Sequence, residues 1–169
     1  MNYSLVSVRN IEKERLEGFD CSVDVLNLFL KRYALKNDLL GIGNTFVSES
    51  ESGEVCGYFT LSSAQIKFEE MPLSLQTGIP KYPIPAIRIA RLATDKKIQG
   101  TGCGKWLMKQ ALLKILQVAD IAAVHVVLVD AKESAESFYE QFGLQRLKDS
   151  SFFLPVATVL KAINKESSQ

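Results

Sequence analysis

The chain has 169 residues, 47% hydrophobic and 23% charged, the composition of a soluble globular protein with a substantial core. No apolar run is long enough to span a bilayer, and Met1-Asn2-Tyr3-Ser4-Leu5 lacks the basic region and apolar stretch of a secretory leader. The three cysteines, Cys21, Cys56 and Cys103, are odd in number and have no metal-ligand spacing, so reduced thiols in a cytoplasm and no metal site are expected.

In chain order, residues 3–9 read as a first strand. Residues 22–37 read as a helix, with Leu26, Phe29, Leu30, Tyr33 and Ala34 at helical spacing and Ser22 as its cap. Thr45–Ser48 and Val55–Ile66 read as strands joined by a turn at Glu51-Ser52-Gly53-Glu54. Residues 67–85 hold Pro72, Gly78, Pro80, Pro83 and Pro85 and read as irregular, a loop long enough to shape a binding site. Residues 86–94 form the next strand. A helix follows from Cys103 to Val118, with Met108, Leu112, Ile115, Leu116 and Ala119 as its apolar stripe. Ala122–Val129 is nearly all apolar, the pattern of a strand covered on both faces. Ser134–Phe142 is a short helix stopped by Gly143, and Leu144–Leu147 and Phe152–Leu160 are closing strands. The order β, α, β, β, β, α, β, α, β, β predicts an α/β mixed sheet with helices on its faces, residues 1–169 forming one domain.

Charge is segregated along this order. Residues 81–114 carry eight basic side chains and one acidic, a net +7, between segments of −4 and −2. The block coincides with Gln99-Gly100-Thr101-Gly102-Cys103-Gly104, which leads from a strand into a helix. Three glycines in five positions leave backbone N–H groups uncovered, and a helix start adds unpaired donors and partial positive charge. Such a loop suits a phosphate or pyrophosphate, and a polyanionic ligand fits the cationic block. For the lysines beyond Lys105, a solvated helix face is an equal reading.

Two phosphate-binding loops fail here. In a P-loop, Gly-Lys is followed by Ser or Thr, whereas Gly104-Lys105 is followed by Trp106. A dinucleotide loop needs Gly-x-Gly-x-x-Gly near a first strand, and neither spacing nor position matches. Gln99, Gly102 and Gly104 do match Gln/Arg-x-x-Gly-x-Gly/Ala, the signature of the Gcn5-related N-acetyltransferase family. Upstream, Ile89-Ala90-Arg91-Leu92-Ala93-Thr94-Asp95 looks like that family's fourth strand. Downstream, Ala135-Glu136-Ser137-Phe138-Tyr139-Glu140-Gln141-Phe142-Gly143-Leu144 resembles its "A-x-x-F-Y-x-x-x-G-F" segment. The resemblance implies the acyl-CoA N-acyltransferase fold, with a V-shaped splay between strands 4 and 5. It implies that Gln99, Gly100, Thr101, Gly102, Cys103, Gly104 and Lys105 hold the pyrophosphate of acetyl-CoA. It also implies that Leu92, Ala93 and Thr94 pair with the pantetheine arm like an added strand. Many members carry an Asn seven residues before the tyrosine; Lys132 stands there instead.

A wider set resembles the acetyltransferase toxins of bacterial toxin–antitoxin pairs. It comprises Phe19-Asp20-Cys21, Leu26-Asn27-Leu28-Phe29-Leu30-Lys31, Ala34-Leu35-Lys36-Asn37, Asn44-Thr45-Phe46-Val47, Pro83-Ile84-Pro85-Ala86 and Phe153-Leu154-Pro155-Val156-Ala157-Thr158-Val159. That resemblance implies acetylation of aminoacyl-tRNA, a block of translation and a ribbon-helix-helix antitoxin as partner. A homodimer is expected with it.

The chemistry would be attack of a neutral amine on a thioester. A backbone N–H of Leu92–Thr94 is the expected oxyanion donor. Tyr139 is the expected catalytic acid toward the leaving thiolate, the role of the family's tyrosine; a tyrosine of pKa about 10 is protonated at neutral pH. No general base stands out, and His125 reads as an ordinary strand residue. An α-amine with a pKa of about 8 is partly neutral without one, unlike a lysine at about 10.4. Cys103 reads as the variable position of the motif, although helix starts acidify thiols. Arg91 is read evenly as a substrate-phosphate contact or the partner of a carboxylate, and Arg88 as a weaker substrate candidate. Two alternatives stay open: an acetyltransferase of small amines or protein N-termini, and a non-catalytic acetyl-CoA-binding partner of a DNA-binding regulator.

Overall fold

The computed structural model describes residues 2–167. Seven strands form one mixed sheet: β1 (Tyr3–Ser7), β2 (Asn44–Ser50), β3 (Val55–Ile66), β4 (Ile84–Thr94), β5 (Val126–Asp130), β6 (Gln145–Lys148) and β7 (Ser151–Pro155). Their order is β1-β2-β3-β4-β5-β7-β6. The helices are α1 (Lys13–Leu16), α2 (Asp24–Leu28), α3 (Ala34–Leu39), α4 (Leu73–Gln76), α5 (Cys103–Ala119), α6 (Glu136–Glu140) and α7 (Val156–Ser167). The chain divides into two compact units. One runs up to Ser62 and adds Ala90–Ala111; the other is Ser63–Ile89 with the chain from Leu112 onward.

In the first unit β1 and β2 pair antiparallel from Tyr3↔Ser50 to Ser7↔Phe46. The β2–β3 hairpin closes over the expected turn, with Gly53 at φ +79° and the Ser50 amide donating to the Glu54 carbonyl. Val8, Phe19, Leu30, Ala34, Val47 and Tyr58 pack as its core. The Tyr58 hydroxyl, inside that core, donates to the Leu26 carbonyl at 2.9 Å, as a buried polar group must.

The expected helix over 22–37 is present but is not uniform. Between α2 and α3 lies a π turn, Phe29–Tyr33. One extra residue in the turn shifts the phase of everything after it. Phe29, Leu30 and Ala34 are buried as expected, while Leu26 is only half-buried and Tyr33 is exposed. Ser22 does not cap the helix. It sits at φ +65°, and the N-cap is Val23 without a side-chain bond. The start is tied by Asn27 instead: its Oδ1 accepts from the Cys21 amide at 2.9 Å and its Nδ2 donates to Asp20 at 2.9 Å.

In the second unit β4 and β5 are parallel, from Ala86↔Val126 to Ile89↔Val129; β4 then continues to Thr94. β5 and β7 are antiparallel, and β6 pairs with β7. Val126–Val129 are all buried, the covered strand expected from their composition. The strand starts later than Ala122 because Asp120, Ile121 and Ala122 donate back to Leu116 and Val118 as α5 ends. Residues 67–85 contain a 3-10 turn and α4, and Ile66, Met71 and Ile84 pack with Ala86, Val126, Leu128 and Phe153.

Three further boundaries differ from the sequence reading. The closing strand expected over Phe152–Leu160 ends at Pro155, and Val156–Ser167 is helical. Val156 and Val159 are buried and Leu160 is exposed, so the apolar spacing is helical although the composition favours a strand. The buried stripe of α5 is Cys103, Leu107, Met108, Ala111 and Ile115; Leu112, Leu116 and Ala119 flank it, half-buried. The helix read over Ser134–Phe142 is a 3-10 turn followed by α6, and Gly143 at φ +87° terminates it as expected.

Candidate functional site

The glycine loop is built on a buried carboxylate. Asp95 follows β4 and is 5% exposed. Its Oδ1 accepts from the Lys97 amide at 2.9 Å, capping the 3-10 turn Lys96–Ile98, and its Oδ2 accepts from the Asp20 amide at 3.0 Å. The Lys96 ammonium lies 2.6 Å from the Asp20 carboxylate and holds that carboxyl well below its usual range, helped by the Ser22 amide and Asn27. The Gln99 amide donates to the carbonyls of Thr94 at 3.2 Å and Cys21 at 3.4 Å. The Thr101 hydroxyl donates to the Ile98 carbonyl at 2.7 Å. The side chains of Gln99 and Thr101 are thus engaged with the protein's own carbonyls, while Lys105 is exposed.

What remains open is main chain. Gly100 and Gly102 have φ +79° and +97°, conformations that L side chains avoid, and no atom lies within 4 Å of where a Cβ would sit on either. The first bond into α5 runs from the Trp106 amide to the Gly102 carbonyl at 3.0 Å. The amides of Cys103, Gly104 and Lys105 precede it, with no backbone acceptor among the described residues. No acidic side chain occupies the first turn of this 17-residue helix. These donors and the helix dipole fit a diphosphate.

Cys103 points the other way. It is 1% exposed, and burial pushes its thiol up to about 11, so desolvation outweighs the acidifying helix start. It anchors the helix in the core. A glycine that the sequence reading passed over lies nearby. A Cβ on Gly57 of β3 would come within 2.6 Å of both the Ala93 carbonyl oxygen and Leu107 Cδ1. Only glycine lets the chain approach residues 93–94 this closely; its signal was a glycine inside a strand pattern. Of the candidate thioester-strand residues, Ala93 is buried and Leu92 and Thr94 are half-buried.

The two arginines of β4 are engaged. Arg91 lays its guanidinium on the Phe29 ring, 3.6 Å from the centroid, rather than on a carboxylate. Arg88, in the second unit, pairs with Asp130, which also accepts from the Ser151 hydroxyl at 2.8 Å.

Tyr139, on α6 of the second unit, is 8% exposed. Its ring packs edge-on against Phe138 at 5.1 Å, and Phe138 packs against Phe142 at 5.2 Å. Its hydroxyl has no hydrogen-bond partner among the described residues, and burial pushes its pKa up to about 12. Lys132 is exposed at the head of the preceding 3-10 turn. His125 is exposed and lies just before β5 rather than in it, its amide donating to the Pro85 carbonyl and its carbonyl accepting from Val156. Among the described residues no three His, Cys, Asp or Glu side chains group as metal ligands, and no helix is long and apolar enough to cross a membrane.

The sequence model of the acetyltransferase (GNAT) domain matches residues 17–153. A tRNA-acetylating toxin of Mycobacterium tuberculosis is 30% identical over 135 residues, 79% of this chain and 80% of the relative. The structure of AtaT complexed with acetyl-methionyl-tRNAfMet superposes with a TM-score of 0.85 at 24% identity, covering 96% of this chain and 99% of that one. A Tyr-to-Phe mutant of AtaT, bound to the C-terminus of the antitoxin AtaR and acetyl-CoA, gives 0.79 at 22% identity over 96% and 99%. The chain belongs to the GNAT acetyltransferase family.

Proposed function

We propose that this protein transfers the acetyl group of acetyl-CoA to the α-amino group of an aminoacyl-tRNA, and that it acts in the cytoplasm as the toxin of a toxin–antitoxin pair. The observation that carries the reading is the 30% identity to a tRNA-acetylating toxin along four-fifths of both chains. The cationic block 81–114 supports a nucleic-acid substrate. Residues 1–169 act as one catalytic domain in this reading, and the active form is a homodimer. The partner is an antitoxin of the ribbon-helix-helix class, in keeping with the antitoxin-bound AtaT.

Acetyl-CoA brings an acetyl group already activated as a thioester. The open amides of Gly102–Lys105 hold its diphosphate, and Gly100 and Gly102 supply the backbone conformation that exposes them. Gln99 and Thr101 serve by shaping the loop, since their side chains are bonded to its carbonyls. Main-chain N–H groups of Leu92–Thr94 receive the carbonyl oxygen. The amine nitrogen forms the new C–N bond as the C–S bond breaks, and Tyr139 gives its proton to the departing sulfur. With a pKa of about 12, Tyr139 keeps that proton throughout the physiological range. The acceptor amine loses its own proton to water, and water returns one to the Tyr139 phenolate. An α-amine, with a pKa of about 8, reaches the neutral form without a protein base.

The test is incubation of the protein with labelled acetyl-CoA and bulk aminoacyl-tRNA. Label that enters the tRNA fraction and is released with the amino acid is the expected result. Label on small amines or protein N-termini alone would replace this reading with the acceptor-switched one.

A further inference from the structure

The first unit has an apolar groove of about 420 Å³ whose lining includes no residue of the glycine loop. Its floor is Val8, Ile11, Leu16 and Leu30, all buried. Leu35, Leu39 and Leu40 border it and stay 39%, 65% and 61% exposed. The π turn explains why these leucines face outward: it turns α3 so that Ala34 and Asp38 point inward. Asp38 is held there by Arg9 and by the Thr45 amide, at 2.8 Å. The remaining lining residues are Lys13, Lys31, Arg32 and Lys36, four cations with no carboxylate among the lining. Glu17, at the end of α1, is bound to Arg32.

We propose that this groove docks an acidic amphipathic helix of a partner polypeptide. Leucine-like residues at i, i+3, i+4 and i+7 would lie on the floor, with carboxylates over the lysine rim. The chemistry excludes other occupants. Single-stranded RNA is gripped by cations interleaved with aromatic rings on which bases stack, and every apolar residue of this groove is aliphatic. A second copy would need an acidic amphipathic helix, and the two longest helices, α5 and α7, carry Lys105, Lys109, Lys114, Lys161 and Lys165. The inference deepens the toxin reading by naming the surface that its polypeptide partner takes.

The test uses the full chain with labelled leucine methyls and three synthetic helices of about four turns. The first carries leucines at the stated spacing flanked by glutamates, the second has lysines in place of the glutamates, and the third is a scrambled copy of the first. The acidic peptide should shift the methyls of Leu35, Leu39 and Leu40 and bind at least about tenfold more tightly than either control, with affinity falling as salt rises. Leu39→Glu, at an exposed position, should weaken it by about tenfold or more, and so should Lys36→Glu. Equal affinity for all three peptides, or shifts confined to other residues, overturns the proposal. So does tRNA moving these methyls in place of the peptide, or their broadening with chain concentration alone. No readout requires acetyl transfer, so a protein that acetylates no tRNA would leave the docking result standing.

Discussion

The loop from Gln99 to Lys105 and the helix α6 offer two opposite kinds of binding chemistry. In the loop the side chains are spent on the protein itself. Gln99 and Thr101 bond to carbonyls and Cys103 is buried, so apart from Lys105 what faces outward is backbone. In α6 the backbone is spent on a turn that Gly143 closes, and the one buried side chain is that of Tyr139. A main-chain site is indifferent to side-chain identity but exacting about φ. A side-chain site depends on one atom and its protonation state. The two should therefore fail differently when altered.

The largest expected effect is at Tyr139. Tyr139→Phe keeps the ring packing and removes the proton, so kcat should fall by roughly 10²- to 10⁴-fold while acetyl-CoA affinity changes little. Steady-state acetylation paired with calorimetry reads both, and a loss of affinity equal to the loss of rate would place the hydroxyl in binding instead. Next is Gly102→Ala, which puts a Cβ at φ +97°. Strain of about 1–3 kcal/mol should weaken acetyl-CoA binding by roughly five- to a hundredfold, with kcat at saturation nearly unchanged. Thr101→Ala is the contrast: the same calorimetry should show a smaller change, because its hydroxyl only secures the turn.

Gly57→Ala probes the support beneath the site. Its Cβ meets a carbonyl oxygen at 2.6 Å, so overpacking should cost about 1–3 kcal/mol. For a chain of this length that is a drop in Tm of roughly 2–12 °C by scanning calorimetry. The smallest effect is in pH. Tyr139 titrates near 12 rather than its ordinary value near 10, so kcat/KM should rise as the acceptor amine deprotonates near about pH 8 and show no descending limb below about pH 10. The same shift is a stability statement. Both Tyr58 and Tyr139 have raised pKa values through burial, so the folded state holds their protons more tightly than the unfolded state. Their contribution is complete below about pH 10 and is lost as pH climbs through the folded values. Alkaline unfolding followed by tyrosinate absorbance should be cooperative with loss of fold, and early titration of all five tyrosines would contradict it.

What could be read from the residues alone divides along the same line. The loop was legible because its signal is local: glycines at fixed spacing between a strand and a helix, with Cys103 correctly placed as the helix start. β3 was legible from end to end for the same reason, opening at the Glu51–Glu54 turn and closing before the proline-bearing stretch 67–85. Tyr139 was nominated only by the segment around it, since a lone tyrosine carries no signal of its own; the structure places it buried on α6. The partners of Arg88, Arg91 and Asp95 were not legible, because Asp130, Phe29 and the Asp20 amide are brought to them by folding from distant sequence. α7 was misread for a different reason. Val156, Thr158 and Val159 carry strand propensity, and tertiary packing of Val156 and Val159 overrode it.

The π turn at Phe29–Tyr33 gives this helical segment one residue of slack. Remove one amino acid from that stretch and regular winding absorbs the loss, leaving Asp38 beside Arg9. Remove one from Leu35–Asn37, where no spare residue exists, and Asp38 turns by about 100° off its partner, so a deletion in α3 should do far more damage than one in the π turn.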